Sequence, residues 1–174
     1  MASKFSLSFR SAPSIVPSYT RIVFKKKLAL LPDGMELPPL EAVLTHFKAT
    51  RERVEAYRAV CGGEPSDMLP VAYPHVLAMP VQLALMASSA FPVRIMGLVH
   101  LRNHIEQQRP LRVGEEGRLR VWIDGHRETS PGQEFDVNTS VEVDGRPVWQ
   151  ETCVFMARRM RSRSSQRVRT ACVR

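Results

Sequence analysis

The chain has 174 residues, of which 44% are hydrophobic, and a formal net charge of +8 at neutral pH. This length suits one domain with a single core, and the sequence has no run of the ~20 apolar residues that a membrane-spanning helix needs. The basic residues cluster at the two ends: residues 1–27 and 158–174 contain no acid, so all 17 acidic side chains lie between them. A nucleic-acid-binding domain would carry its basic residues on the folded part, so this distribution argues against specific nucleic-acid binding.

The three cysteines, Cys61, Cys153 and Cys172, are odd in number and widely spaced. This pattern is typical of the reducing interior of a cell rather than of a disulfide framework, and it predicts a cytoplasmic protein. The five histidines do not pair with cysteines at the spacing of a zinc finger, so we expect no metal site and no cofactor.

The first 27 residues are rich in serine and proline and show no periodicity, which predicts a disordered basic leader. Basic and hydroxyl residues without acids also fit an organelle-targeting segment, which makes an organellar location the alternative. Pro13 and Pro17, however, interrupt the amphipathic helix that such segments form.

Two helices are predicted before residue 90. Thr50 can cap a helix over 51–60, and the glycines at 62–63 end it. The stretch LPVAYPHVLAMPVQLALM (69–86) contains one histidine and no charged residue. Since proline is tolerated in the first turn of a helix, Pro80 predicts a second helix from about 79 to 88. Gln82 is the only polar residue in its body, and a helix that is apolar nearly all round is a buried one.

From residue 97 the apolar period changes to two, which predicts strands over 97–107, 116–128, 133–143 and 147–157. Asp144 and Gly145 form a hairpin signal between the last two strands. A sheet that must cover an apolar helix will curl around it, so the sequence predicts an α+β hot-dog fold, an antiparallel sheet curled around a buried central helix. We expect one domain over 28–157 and a disordered arginine-rich tail over 158–174.

Four segments resemble the MaoC-like acyl dehydratases, and especially the N-terminal unit of double-hot-dog 3-hydroxyacyl-thioester dehydratases. These segments are VEAYRAVCGG, LPVAYPHVLAMPVQLALM, FPVRIMGLVHLRNHIEQQRPLRVGE and GRPVWQETCVFMARR, within about residues 35–159. The resemblance implies (R)-specific hydration or dehydration of an acyl thioester carried on coenzyme A or acyl carrier protein. It also implies an acyl groove beside the buried helix, and pairing as a homodimer or with a second hot-dog unit.

The catalytic motif of that family is an aspartate followed five positions later by a histidine at the start of the buried helix, and this sequence lacks it. None of the five aspartates has a histidine in that position, and no acid lies between Asp67 and Glu106. Glu41 and His46 have the spacing but precede the helix. Removal of water needs a base for the C2 proton and an acid for the hydroxyl. The chain is therefore predicted to lack its own proton-transferring pair, and the economical interpretation is a leading unit that needs a second, dyad-bearing unit.

The candidate residues of the substrate groove are Tyr73, His75, His100, Arg102 and Asn103. His75 could contact a thioester at the start of the helix, but a hydrogen bond to the backbone is the simpler interpretation, because no carboxylate nearby in sequence could orient the ring. A partner from elsewhere in the fold stays open. If strand alternation holds, His100 and Arg102 share one side with His104, where they could line the path of the carrier or form a polar sheet surface. Tyr73 could donate to a ligand carbonyl, although packing is the commoner role of a buried tyrosine.

Three hypotheses follow from the sequence. The first is an acyl-thioester dehydratase or hydratase unit that acts together with a second unit. The second is a non-catalytic hot-dog module that binds acyl thioesters or pairs with another subunit. The third is a nucleic-acid-associated protein that acts through its basic tails.

Overall fold

A computed structural model of the chain describes residues 4–159. Within these residues the chain forms three helices and six strands. In chain order they are β1 (Phe5–Phe9), α1 (Val16–Phe24), β2 (Leu40–Lys48), α2 (Arg51–Cys61), α3 (Tyr73–Ala87), β3 (Leu98–Gln107), β4 (Glu116–Thr129), β5 (Gly132–Val143) and β6 (Arg146–Arg158).

The six strands form one sheet in the order β1-β2-β4-β5-β6-β3. β1 pairs with β2 in parallel and the other four pairings are antiparallel. The sheet is therefore mixed, because the leader adds a strand that the sequence did not predict. With α3 packed on one face of the sheet, the fold is the predicted α+β hot-dog type.

The predicted strands and the first predicted helix agree with the structure. Each of the last four strands begins and ends within one residue of the predicted position. The hairpin between β5 and β6 turns at Asp144 and Gly145, whose φ angles of 51° and 72° are those of a two-residue hairpin loop. Helix α2 starts after Thr50 and ends at Gly62, whose φ of 67° is the left-handed conformation that glycine supplies at helix ends.

The central helix α3 is longer than predicted. It begins at Tyr73 rather than near Met79, so that Pro80 lies in its interior. The prediction placed Pro80 in the first turn of the helix. In the structure Pro74 occupies the first turn, where no intrahelical partner exists for the N–H that proline lacks. Leu85 of α3 is fully buried against the sheet, whereas Met79 on another side of the helix is 41% exposed. No helix within residues 4–159 is long and apolar enough to cross a membrane.

The leader forms secondary structure in its described part, contrary to the prediction of disorder. β1 adds to the sheet edge by pairing with β2, and α1 packs against α3. Lys27 anchors the end of the leader: its Nζ donates to the carbonyl oxygens of Met86 and Ser88, each at 2.7 Å. Composition could not reveal these contacts, because each joins the leader to a distant part of the chain. Residues 160–174, which hold nearly all of the predicted tail, lie outside the described residues.

Lys27 caps the C-terminal end of α3, where the last carbonyl groups of a helix lack partners and favour a positive charge. Burial, with a smaller effect from Lys25, lowers the pKa of Lys27 to about 8. Lys27→Met is expected to lower the free energy of unfolding by about 1–2 kcal/mol, because two carbonyl groups lose their donor. Chemical denaturation measures the change. Lys26→Met, at an exposed neighbouring position, is the matched control, and an equal effect of both variants would contradict the capping role.

Candidate active site

Helix α3 and strand β6 bring an imidazole against a carboxylate. His75 lies in the first turn of α3, and its Nδ1 is 2.7 Å from Oε1 of Glu151 on β6. The Glu151 side chain has no exposed surface, whereas the His75 side chain is 30% exposed. The pair therefore has a buried carboxylate and an imidazole that a ligand can reach.

Two side-chain amides complete the hydrogen bonds to Glu151. Asn103 on β3 donates through Nδ2 to Oε1 at 2.7 Å. Gln82, two turns along α3 from His75, donates through Nε2 to Oε2 at 3.1 Å and to Thr139 Oγ1 at 2.9 Å. A buried carboxylate is tolerated when its oxygens accept hydrogen bonds, so these donors account for a charge in the core.

The environment shifts both groups toward their charged forms. The hydrogen bond to Glu151 raises the pKa of His75 above its ordinary value, against the opposing effect of burial. Burial alone would raise the pKa of Glu151, but the hydrogen bonds from His75, Asn103 and Gln82, together with the charge of His75, lower it. Since Nδ1 of His75 faces the carboxylate, Nε2 is the nitrogen that can exchange a proton near neutral pH.

A thiol lies beside this pair. Cys153 follows Glu151 by two residues on β6, so both side chains project from the same face of the sheet. Its Sγ is 4.0 Å from Nδ1 of His75. Burial, together with the nearby charge of Glu151, raises the pKa of Cys153 to about 12. The group is therefore a neutral thiol near neutral pH and a poor nucleophile.

A β-bulge in β3 separates residues that were predicted to share one side of the strand. The register with β6 shifts between His100 and Arg102. The imidazole of His100 stacks on Phe155, with 4.6 Å between ring centroids, while the guanidinium of Arg102 lies 3.3 Å from Glu134. The interpretation that His100 shares a side with Arg102 and His104 is wrong, because alternation does not continue through a bulge. Arg102 and His104 lie after the bulge in unbroken register and do share a side.

Among the candidate groove residues, the structure brings His75 and Asn103 together at Glu151. Tyr73 is buried at the start of α3 and packs edge-on against Tyr57, with 5.2 Å between ring centroids. Burial raises the pKa of Tyr73. These contacts favour the packing interpretation of Tyr73.

Glu151 is the residue of this site that the sequence search missed. The search looked for an acid close to the helix in sequence, whereas this acid comes from the last strand. The prediction that the chain carries no carboxylate–imidazole pair is therefore wrong, and His75 bonds a side chain rather than the backbone. One signal was present: Glu151 stands between Trp149 and Cys153 among the core-facing residues of β6, where an acid is rare unless it is paired.

A second candidate site is a cavity of about 530 Å³ at the start of β2 and beside the middle of β4, whose lining includes Lys4, Glu41, Arg120 and Trp122. Its cations are already paired. Oε2 of Glu41 accepts from Arg120 at 2.7 Å and lies 3.3 Å from Nζ of Lys4, and the Arg120 guanidinium lies over the ring of Trp122. Both cations therefore share one carboxylate, and the lining also contains Glu36 and Asp124.

Comparison with known proteins supports the family resemblance. No protein-family model matches the chain. The chain is 30% identical over 139 residues to 3-hydroxyacyl-thioester dehydratase X of Mycobacterium tuberculosis, a match that covers 80% of this chain and 50% of that protein. The crystal structure of HtdX from the same organism has a TM-score of 0.63 at 30% identity, over 68% of this chain and 51% of the other. The chain belongs to the MaoC-like hot-dog dehydratase family.

The chain spans about half the length of the 3-hydroxyacyl-thioester dehydratase that it matches in sequence. A structure described as a MaoC-like dehydratase has a TM-score of 0.57 at 17% identity, over 67% of this chain and 41% of the other. The HadBC 3R-hydroxyacyl-ACP dehydratase complex of Mycobacterium tuberculosis has a TM-score of 0.60 at 16% identity, over 70% of this chain and 98% of that chain. At these identities the likeness shows the fold alone, so the chemistry of this MaoC-like chain must be argued from its own side chains.

Glu151→Gln is expected to lower the pKa of His75, because the substitution removes the anion that stabilises the imidazolium. NMR titration of the His75 ring measures the midpoint. Glu106→Gln is the matched control: it removes the carboxylate that lies 3.1 Å from the exposed His104 and is expected to leave His75 unchanged. An unchanged His75 midpoint in the Glu151 variant would contradict the pairing.

Proposed function

We propose that this chain is an acyl-thioester hydratase or dehydratase unit, acting on enoyl or 3-hydroxyacyl thioesters of coenzyme A or acyl carrier protein. The observation that carries the proposal is the 2.7 Å contact between the accessible imidazole of His75 and the buried carboxylate of Glu151. Similarity to a 3-hydroxyacyl-thioester dehydratase over 80% of the chain supports it. The free thiols of Cys61 and Cys153 fit a cytoplasmic location.

His75 transfers the proton in the proposed reaction. In hydration, Nε2 accepts a proton from water as the water oxygen attacks C3 of the enoyl group, and the imidazolium then gives a proton to C2. Dehydration runs the same steps in reverse. Glu151 keeps the other proton on Nδ1 and stabilises the imidazolium, while Gln82 and Asn103 hold the carboxylate in one orientation.

The start of α3 supplies the electrostatic part of the reaction. The helix has no side-chain N-cap, but Tyr73 N–H already donates to the carbonyl oxygen of Pro70 and Pro74 has no N–H. The N–H of His75 is therefore the first-turn group that can polarise the thioester carbonyl as negative charge develops on it. Val76 and Met79 are each 41% exposed. Val76 follows His75 directly in the chain, and Met79 lies one turn further along α3. We assign the acyl chain to this apolar strip.

A non-catalytic module is the second candidate, favoured by the missing Asp-x-x-x-x-His motif and by the coverage of only half of the relative. In that case the contact between His75 and Glu151 is a structural ion pair, and a second hot-dog unit supplies the catalytic pair. The edge strand β3, on which Val99 and Leu101 are 38% and 40% exposed, offers a surface for such a unit or for a second copy of the chain.

Assays of crotonyl-CoA hydration separate the two candidates. The purified chain is expected to be active, and His75→Ala to lower kcat/KM by about 10²–10⁴-fold, the usual contribution of a general acid–base group. His104→Ala, which changes an exposed histidine on β3, is the matched control and should keep the wild-type rate. Activity that survives in the His75 variant would contradict the role of His75. Activity that appears only after a second unit is added would favour the non-catalytic module.

The pH dependence of hydration tests the role of Glu151. The rate is expected to fall as the pH drops through the pKa of His75, because only the neutral imidazole accepts a proton. Since the hydrogen bond to Glu151 raises that pKa, the midpoint should lie above the ordinary value of 6.5. Glu151→Gln should move it to lower pH. A profile of kcat/KM against pH for both proteins gives the midpoints, and coincident curves would exclude this role.

A further inference from the structure

The thiol of Cys153 takes no part in the proposed proton transfer, yet it lies beside both groups that do. The Nδ1 atom of His75, a carboxylate oxygen of Glu151 and the Sγ atom of Cys153 all lie within 4.8 Å of one another. Imidazole nitrogen, carboxylate oxygen and thiolate sulfur are the three ligand types that Zn²⁺ binds in proteins. They converge because β6 presents two of them on one face while α3 brings the third.

We propose that His75, Glu151 and Cys153 form a binding site for a thiophilic divalent metal ion such as Zn²⁺, with a solvent molecule as the fourth ligand. Three protein ligands and one open position is the arrangement of zinc sites that exchange ligands with solvent. The partial exposure of the His75 side chain gives the ion access to the site.

The distances between donor atoms suit such an ion after small side-chain movements. Zinc bonds of about 2.0–2.3 Å place tetrahedral ligands about 3–4 Å apart. The distance between Nδ1 of His75 and Sγ of Cys153 is 4.0 Å and must shorten slightly. The distance between Nδ1 and Oε1 of Glu151 is 2.7 Å and must lengthen. The spacing rules that predicted no metal missed this set because its members come from distant parts of the chain.

Metal binding releases protons and transfers no electrons. The Cys153 thiol loses one proton to solvent and binds as thiolate. Nδ1 of His75 also gives up its proton: an imidazolium releases it to solvent, while a neutral ring carries it on Nε2 instead. Because protons compete with the ion for these donor atoms, the affinity for metal should increase with pH.

A bound ion would inhibit the proposed reaction, since it holds Nδ1 and leaves a proton on Nε2, the nitrogen that must accept one from water. This regulatory consequence rests on the proposed function. The binding of metal does not, because it depends only on the positions of the three donor atoms.

Cobalt(II) tests the site without reference to activity, because a thiolate bound to Co²⁺ gives a charge-transfer absorption band. In the full chain with Cys61→Ser and Cys172→Ser, Cys153 is the only remaining cysteine, so any such band reports this site. Titration with Co²⁺ is expected to produce the band, Zn²⁺ to remove it by displacement, and higher pH to strengthen it. Cys153→Ser should abolish the band while circular dichroism checks that the variant folds.

Inhibition of crotonyl-CoA hydration by Zn²⁺ provides the second measurement. Even outer-shell partners of a metal contribute about 10–100-fold to its affinity, so Cys153→Ser should weaken inhibition by at least about tenfold, relative to its own metal-free rate. Absence of the cobalt band in the folded protein that retains Cys153 overturns the site. A band in a protein without hydratase activity supports the site and counts against the proposed function. Full activity with bound Zn²⁺ overturns the inhibitory role.

Discussion

The buried carboxylate of Glu151 is the constraint on which the candidate site depends. Its side chain has no exposed surface, and an isolated charge in that position would be strongly destabilising. Donors from α3 and β3 remove this penalty only when β3 pairs with β6 in the observed register and α3 lies in its observed position on the sheet. The same contacts that make the charge tolerable also fix the imidazole of His75, so stability and chemistry depend on one cluster of hydrogen bonds.

The length of α3 explains why this cluster can form. Because the helix begins at Tyr73, His75 and Gln82 lie two turns apart on it, and both reach Glu151. A helix that began near Met79 would leave His75 in a loop, without a fixed orientation. Pro74 in the first turn permits the early start, and the charged end of Lys27 satisfies carbonyl groups at the opposite end of the helix.

The family resemblance implies a dehydratase, whereas the missing motif predicts a chain without its own proton-transferring pair. The structure accounts for this difference. Side chains of the last strand reach the central helix in this structure, so a carboxylate can face the histidine from the strand as well as from the helix. Here the acid stands on β6 at Glu151 rather than near the helix in sequence. A motif defined by spacing along the chain cannot detect such a pair, although the geometry needed for proton transfer is local in space only.

The sequence by itself determined helix α2 and four of the six strands, whereas β1, β2 and α1 were not predicted. Period-two patterning set the bounds of β3 to β6, and the hairpin at Asp144 followed from turn chemistry, because these depend on interactions between near neighbours. Tertiary structure decided the rest. Contacts between residues far apart in the chain produce the bulge after His100, the secondary structure of the leader and the pairing of His75 with Glu151. No local sequence pattern encodes such contacts.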